Sequence, residues 1–278
     1  MTSPRVASLT LFAMLAFAGN SLLCRVALRD TAIDAASFTT IRLASGALVL
    51  AAIMLARKSA PTAAGSWRAA AMLFAYAAFF SFAYRQLTAA TGALLLFGAV
   101  QTSMLGYGLA TGERLRALQI AGLLVAIGGL VYMLLPGLAA PPIPSAVCML
   151  AAGASWAVYS VLGRGVKDPV AATAGNFVRS VPFALVLSLA AASDLRIDPA
   201  GVAWAVLSGA LTSGLGYVLW YAALPALKAT SAATVQLSVP AIAAVGGVAL
   251  LSEAMSPRLL VASAAILGGI ALTIWRPK

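Results

Sequence analysis

Apolar residues run along this chain in ten blocks, each about as long as a membrane is thick. They lie near residues 5–24, 35–56, 69–87, 89–110, 117–136, 144–163, 170–192, 201–222, 231–251 and 258–275. A hydrocarbon core of roughly 30 Å needs about 20 apolar residues in a helix. The blocks therefore predict ten spanning helices joined by short loops. The block pattern also repeats. Ala47-Leu48-Val49-Leu50 returns as Ala184-Leu185-Val186-Leu187 at an offset of 137, and Arg42/Arg179, Trp67/Trp204, Tyr84/Tyr221 and Leu87/Leu224 keep that offset. Beyond a three-residue insertion the offset is 140, aligning Gly106/Gly246, Glu113/Glu253 and Gly128-Gly129/Gly268-Gly269. Five spans per copy is an odd number, so the second copy must cross the bilayer upside down. Inverted repeats of that kind are a recurrent architecture of alternating-access transporters.

The expected fold class is thus an all-α integral membrane protein: ten transmembrane helices as two inverted five-helix repeats around a central cavity. Residues 1–136 form the first repeat, 137–143 an outer linker, and 144–278 the second repeat, together one membrane unit. Pro136, Pro141, Pro142 and Pro144 make the connector stiff and extended. Composition agrees, with 62% apolar and 9% charged residues and a mean hydropathy of +0.99, far from a soluble domain. Arg5 followed by an apolar run and Ala16-Phe17-Ala18 imitates a signal peptide. The run is too long for an h-region, and its repeat partner is internal.

Charge sets the orientation. Arg5, Arg57, Lys58, Arg68, Arg114, Arg116, Arg164, Lys167, Lys228, Arg276 and Lys278 share one side, against Arg25, Arg29, Arg85, Arg196 and Arg258 on the other. The positive-inside rule then predicts cytoplasmic N- and C-termini. The net charge of +11 faces a membrane surface. It is no nucleic-acid footprint, for the chain has no soluble basic patch with interleaved aromatics.

No Walker A pattern, Gly-x-Ser-x-Gly elbow or His-Glu-x-x-His motif occurs, and histidine is absent altogether. Neither an enzyme, a cofactor nor a metal site is expected. Cys24 and Cys148 lie near outer span ends, where a bridge is conceivable; two small residues packed among helices is the preferred reading. Gly128-Gly129 and Gly268-Gly269 sit within spans, where small residues let helices approach closely.

Polar and aromatic residues inside spans carry the functional reading. Lipid-facing surfaces avoid Asn, Gln and mid-depth Tyr, so Asn20, Tyr76, Phe79, Tyr84, Gln101, Ser155, Trp156, Tyr159, Tyr217, Trp220, Tyr221 and Gln236 are expected to line a central cavity. Tyr76, Phe80 and Tyr84 share one helical stripe, as do Ser213, Tyr217 and Tyr221. Arg42 and Arg179 lie within hydrocarbon depth, where an unpaired cation is costly. They either attract a substrate carboxylate or hold one helix against its neighbour. Their symmetric placement favours the structural role. Gly106, Gly214 and Pro240 are candidate hinges. Aromatic walls with neutral hydrogen-bonding groups suit small amphipathic solutes. With no acid at mid-depth, proton coupling lacks a relay.

The ten short spans, the arginine pair Arg42/Arg179 and the pair Glu113/Glu253 at the ends of the fourth and ninth spans resemble the drug/metabolite transporter superfamily, EamA type, over essentially the whole chain. Among its members the chain is most similar to the bacterial aromatic amino acid exporters. The resemblance implies a multi-pass protein of the bacterial inner membrane that exports amino acids over a broad range by alternating access. A multidrug or other metabolite exporter on the same scaffold is the alternative. The expected partners are small-molecule amino acids and the lipid bilayer, with a monomer preferred as the oligomeric state.

Overall fold

A computed structural model describes residues 4–112, 116–137, 140–163, 166–223, 226–227 and 235–274. Among them there are helices and no strands. We number the helices α1 (Pro4–Asp30), α2 (Ala35–Ala56), α3 (Trp67–Tyr84), α4 (Ala89–Ala110), α5 (Ala117–Leu134), α6 (Ile143–Leu162), α7 (Pro169–Ala190), α8 (Pro199–Ala223), α9 (Ser238–Leu251) and α10 (Pro257–Ile274). Seven of these, α1, α2 and α4 to α8, are long and apolar enough to cross a membrane by length and composition. Large apolar side chains such as Leu48 (72% exposed), Leu189 (75%) and Leu250 (74%) face outward. Such a surface fits lipid rather than water. The molecule is an all-helical, multi-pass integral membrane protein.

Helix starts follow local chemistry. Asp34 accepts the N–H groups of Ala36 and Ser37 to cap α2, and its second oxygen takes the Arg196 N–H at 3.0 Å. Ser66 and Thr88 cap α3 and α4. Asp168 caps α7 through the N–H groups of Val170 and Ala171, and it pairs with Arg57 at 2.9 Å. The Ala171 N–H holds the Asp168 carboxyl below its ordinary value of 3.8; partial burial opposes this, and Arg57 adds to it. A lowered folded value means the stabilisation is complete above 3.8 and disappears as pH falls through that lower value. Asp168→Ala is therefore expected to cost about 1 kcal/mol at neutral pH. The difference from wild type in unfolding midpoint should close in strong acid; a difference that persists there would refute the capping account.

α1 continues to Asp30, six residues beyond the apolar block, because its polar last turn finds partners. Arg25 pairs with Glu253 at 3.0 Å and Arg29 with Asp30 at 2.6 Å. α8 carries a π-helical stretch at Ser208–Leu215, where the Gly216 N–H reaches back to the Leu211 carbonyl. An extra residue inserted in a helical turn bulges it, often at a functional place. Pro240, expected at mid-span, stands in the first turn of α9. The helix is broken at Leu237, three residues before a ring that has no N–H for the Gln236 carbonyl.

α6 packs against α3 and α4; α1 packs against α8 and α9; α2 runs beside α7 and α8. α5 pairs chiefly with α10. There a Cβ at Gly122 would lie 2.5 Å from the Gly269 carbonyl, and one at Gly269 equally close to the Gly122 carbonyl. Gly129 presses on Ala265 and Ile266, whereas Gly128 and Gly268 meet nothing within 4 Å. One glycine of each doublet is thus a contact residue. Cys24 is buried, Cys148 half-buried, and both are free thiols. Glu113 lies outside the described residues, as do Arg114, Arg164, Leu224 and Lys228.

Candidate functional site

A narrow cavity, with about 30 Å³ open to water, lies between α1, α3, α4, α6 and α8. Asn20 and Ser21 reach it from α1, Tyr76 and Phe80 from α3, Trp156 from α6, and Thr212 and Tyr217 from α8. Phe17, Leu96, Phe97, Val100 and Gln236 complete its wall. Trp156 is the hub. Its ring lies 4.8 Å from that of Tyr76, 5.2 Å from Tyr217 and 5.5 Å from Tyr159. Phe17 meets Tyr217 edge-on at 5.9 Å and Trp220 at 6.0 Å. Edge-to-face and tilted contacts at these separations fix ring orientation as well as burying area.

The polar end is built on the α8 bulge. Ser208 donates to the Asn20 Oδ1 at 2.8 Å, and Thr212 Oγ1 lies 3.3 Å from the same oxygen while donating to the Ser208 carbonyl at 2.8 Å. This holds the Asn20 amide so that its Nδ2 donates to Tyr76 Oη at 3.4 Å. Arg42, only 1% exposed, donates through Nη2 to the same Tyr76 oxygen at 3.4 Å and through Nε to Ser213 Oγ at 3.3 Å. Its Cζ sits 5.4 Å from the Tyr76 ring centroid and 5.0 Å from that of Phe80. Cation–π contact partly compensates a guanidinium withdrawn from water. Its Nη1 has no partner.

The sequence treats Arg42 and Arg179 as equivalents, and the structure separates them. Arg179 donates to the carbonyls of Ala64 (2.8 Å), Thr62 (3.2 Å) and Gly175 (3.1 Å), fastening α7 to the chain before α3. It has no part in the cavity. Arg42 stands directly behind the cavity wall.

Of the other residues expected at the cavity, several lie elsewhere. Phe79 is 41% exposed, because one residue off the Tyr76/Phe80/Tyr84 stripe is enough to leave the packed face of α3. Tyr84 is fully buried against Phe80 and donates to the Ala89 carbonyl at 3.3 Å. Tyr159 backs Trp156 and accepts from Asn176 Nδ2 at 3.5 Å. Trp220 lies one ring further out, behind Phe17. Gln101, Ser155 and Tyr221 are half-buried and do not line it. Gly106 has nothing near it, and a Cβ at Gly214 would stand 3.2 Å from the Gly209 carbonyl. Phe17, Phe97, Ser208 and Thr212 belong to the site without having stood out in the sequence. For Ser208 and Thr212 the available signal was the crowding of small residues between positions 208 and 216.

At one end of the molecule, Glu253 joins several elements. Its Oε1 accepts from Arg25 Nε at 3.0 Å and its Oε2 from the Ala89 N–H at 2.8 Å, the first amide of α4. Arg25 also donates to the carbonyls of Tyr84 and Arg85, and Arg29 to that of Leu251. Arg25 lies one helical turn beyond Ser21 of the cavity wall. Among the described residues, three or more metal-ligating side chains gather nowhere.

Residues 143–275 match the EamA-like transporter family. An uncharacterized protein of Pseudomonas aeruginosa is 58% identical over 275 residues, 99% of this chain and 96% of its own length. An uncharacterized transporter of Archaeoglobus fulgidus is 28% identical over 84% of each chain. The threonine/homoserine exporter RhtA of Escherichia coli is 31% identical over 170 residues, 57% of this chain and 56% of its own. A crystal structure with 21% identity superposes at a TM-score of 0.65, covering 96% of this chain and 97% of the other, and shares its fold. A near-full-length relative, a family match over the second half and RhtA-like sequence together settle the lineage: this chain is a transporter, not an enzyme, and belongs to the drug/metabolite transporter superfamily, EamA type.

Proposed function

We propose that this chain exports amino acids, aromatic and other neutral ones over a broad range, across the bacterial inner membrane by alternating access. The observation that carries the reading is the cavity itself: an aromatic cluster around Trp156, with the Asn20–Tyr76 hydrogen bond set against it through the Tyr76 hydroxyl. A zwitterion with an apolar side chain offers complementary groups to both. RhtA is named for threonine and homoserine export, which keeps the substrate class in the same chemistry.

The helices are read as ten spans in two inverted repeats, 1–136 and 144–278, with linker 137–143 outside and both termini cytoplasmic. Packing supports this reading. Advancing every helix by five places turns α1 with α8 into α6 with α3, α1 with α9 into α6 with α4, and α2 with α8 into α7 with α3. The pairs α2–α7, α4–α9 and α5–α10 map onto themselves. Such self-consistency is what a two-fold axis in the membrane plane produces. Transport is facilitative: the acids among the described residues sit at helix ends, and none lines the cavity. A single chain holds the whole cavity, so the monomer suffices.

Counterflow in proteoliposomes tests the reading. With unlabelled phenylalanine or threonine inside, labelled amino acid should accumulate and ignore an imposed pH gradient. Absence of uptake above empty liposomes would refute amino acid export and point to drugs or other metabolites. Trp156→Ala is expected to raise half-saturation roughly tenfold, since it removes the ring that three tyrosines pack on. Gln101→Ala, outside the cavity lining, should stay within about twofold of wild type. Equal effects of the two would mean that the cavity is not the binding place.

A further inference from the structure

We propose that Arg42, acting through Tyr76, is the specificity-determining group that makes the cavity select solutes bearing a carboxylate over the corresponding amines and amides. The inference rests on the amino acid reading above and names which residues enforce it.

Hydrogen-bond accounting leads there. Tyr76 Oη already accepts from Asn20 Nδ2 and from Arg42 Nη2, both at 3.4 Å. A phenol oxygen with both lone pairs engaged still has one proton to give. Tyr76 lines the cavity, so that proton is offered to whatever occupies it. Asn20 Oδ1, the natural acceptor nearby, is taken by Ser208 and approached by Thr212. The polar end of the cavity is therefore rich in donors.

Charge points the same way. None of the ion pairs among the described residues includes Arg42. Arg42 is 1% exposed and its buried Nη1 has no hydrogen-bond partner. The two rings it sits over, Tyr76 and Phe80, are both cavity walls. A buried cation without a counter-ion raises the potential of the adjoining space, and the low dielectric there transmits it. Arg179 makes the comparison sharp: its repeat partner position satisfies itself on three backbone carbonyls, whereas Arg42 keeps an unused N–H beside the cavity. A carboxylate at Tyr76 would supply the missing anion and accept the phenolic proton in a charge-assisted bond. The ammonium of a zwitterion would then turn toward the ring faces of Trp156 and Tyr217. A simple organic cation would meet Arg42's repulsion with nothing to offset it.

The experiment is competition against labelled L-phenylalanine counterflow by L-phenylalanine and by L-phenylalaninamide, which keeps the ring and amine but has no carboxylate. In wild type the acid should compete at least about tenfold better. In Arg42→Gln that ratio should fall to within about twofold, and Arg42→Lys, which keeps the charge, should restore most of it. A purely structural arginine would give slow transport with the ratio intact, and that result overturns the proposal, as does equal competition in wild type. Should Arg42→Gln fail to fold, Tyr76→Phe keeps the ring and removes only the hydroxyl, and the same ratio is read. If phenylalanine is not carried at all, the amino acid reading falls, and the carboxylate assignment is decided by tryptophan fluorescence of the purified protein. Titration with 3-phenylpropionate should then saturate at lower concentration than with 2-phenylethylamine; equal or reversed binding would refute it.

Discussion

Glu253→Gln is expected to destabilise the protein by roughly 3 kcal/mol, the scale for breaking one partner out of a buried ion pair. Glu253 and Arg25 side chains are 6% and 11% exposed. The side-chain amide keeps one acceptor oxygen for the two donors Arg25 Nε and Ala89 N–H, so one of them loses its partner and Arg25 loses its counter-charge. The substitution also takes a negative charge from the first amide of α4, where the helix dipole favours one. Four elements meet on this residue: α1, the end of α3, the start of α4 and the chain between α9 and α10. A loss there should therefore loosen that whole end. Arg25→Gln alone should cost a similar amount, and the double variant less than the sum by roughly 2 kcal/mol, because the second change removes a charge already orphaned. Unfolding of the four proteins in lipid nanodiscs reads the cycle. Additivity within about 0.5 kcal/mol would mean that the two side chains are neighbours without coupling.

Most helix bounds were legible in the sequence. Ala35–Ala56 and Ala89–Ala110 coincide with their apolar blocks because Asp34 and Thr88 cap their first turns. α1 ran past its block because Arg25, Arg29 and Asp30 are satisfied by partners 222 to 228 residues away or by each other. Such a distant partner leaves no trace in local hydropathy. The inward faces were only half legible. A polar group inside an apolar helix must turn inward, and Asn20, Tyr76, Trp156, Tyr217 and Gln236 do line the cavity. Phe79 is apolar and lies one residue off the α3 stripe, so nothing turns it inward, and α4 is apolar around Gln101 and gives no stripe by which to orient it.

The arginine pair shows the limit most clearly. Equal spacing in a repeat implies equal place in the fold, but not equal environment. Arg179 faces a loop whose carbonyls it can reach, and Arg42 faces two rings and a π-helical bulge. The bulge itself needs five-residue hydrogen bonding that no apolar period announces. Only the glycines and serines from Ser208 to Gly216 hint at it.

Those glycines carry the second large expectation. Gly209→Ala is expected to cost roughly 3 kcal/mol, at the upper end for forcing atoms into a packed contact, and to abolish transport. A Cβ at Gly209 would run into the Arg42 carbonyl and the Ser45 hydroxyl of α2, and one at Gly46 would stand 2.6 Å from the Phe177 ring. Backbone lies against backbone here, so no side-chain rotation relieves the clash, and α8 must withdraw from α2. Withdrawal carries Ser208, Thr212 and Ser213 with it, the hydroxyls that hold Asn20 and Arg42. The site would lose its polar end along with the packing. Gly106→Ala separates sterics from flexibility, because nothing lies within 4 Å of the added methyl. It should gain up to about 1 kcal/mol from helix propensity and slow transport if α4 bends at that point. Wild-type stability in Gly209→Ala would show that the α2–α8 crossing is looser than its geometry says. A transport rate unchanged in Gly106→Ala would remove Gly106 from the hinges.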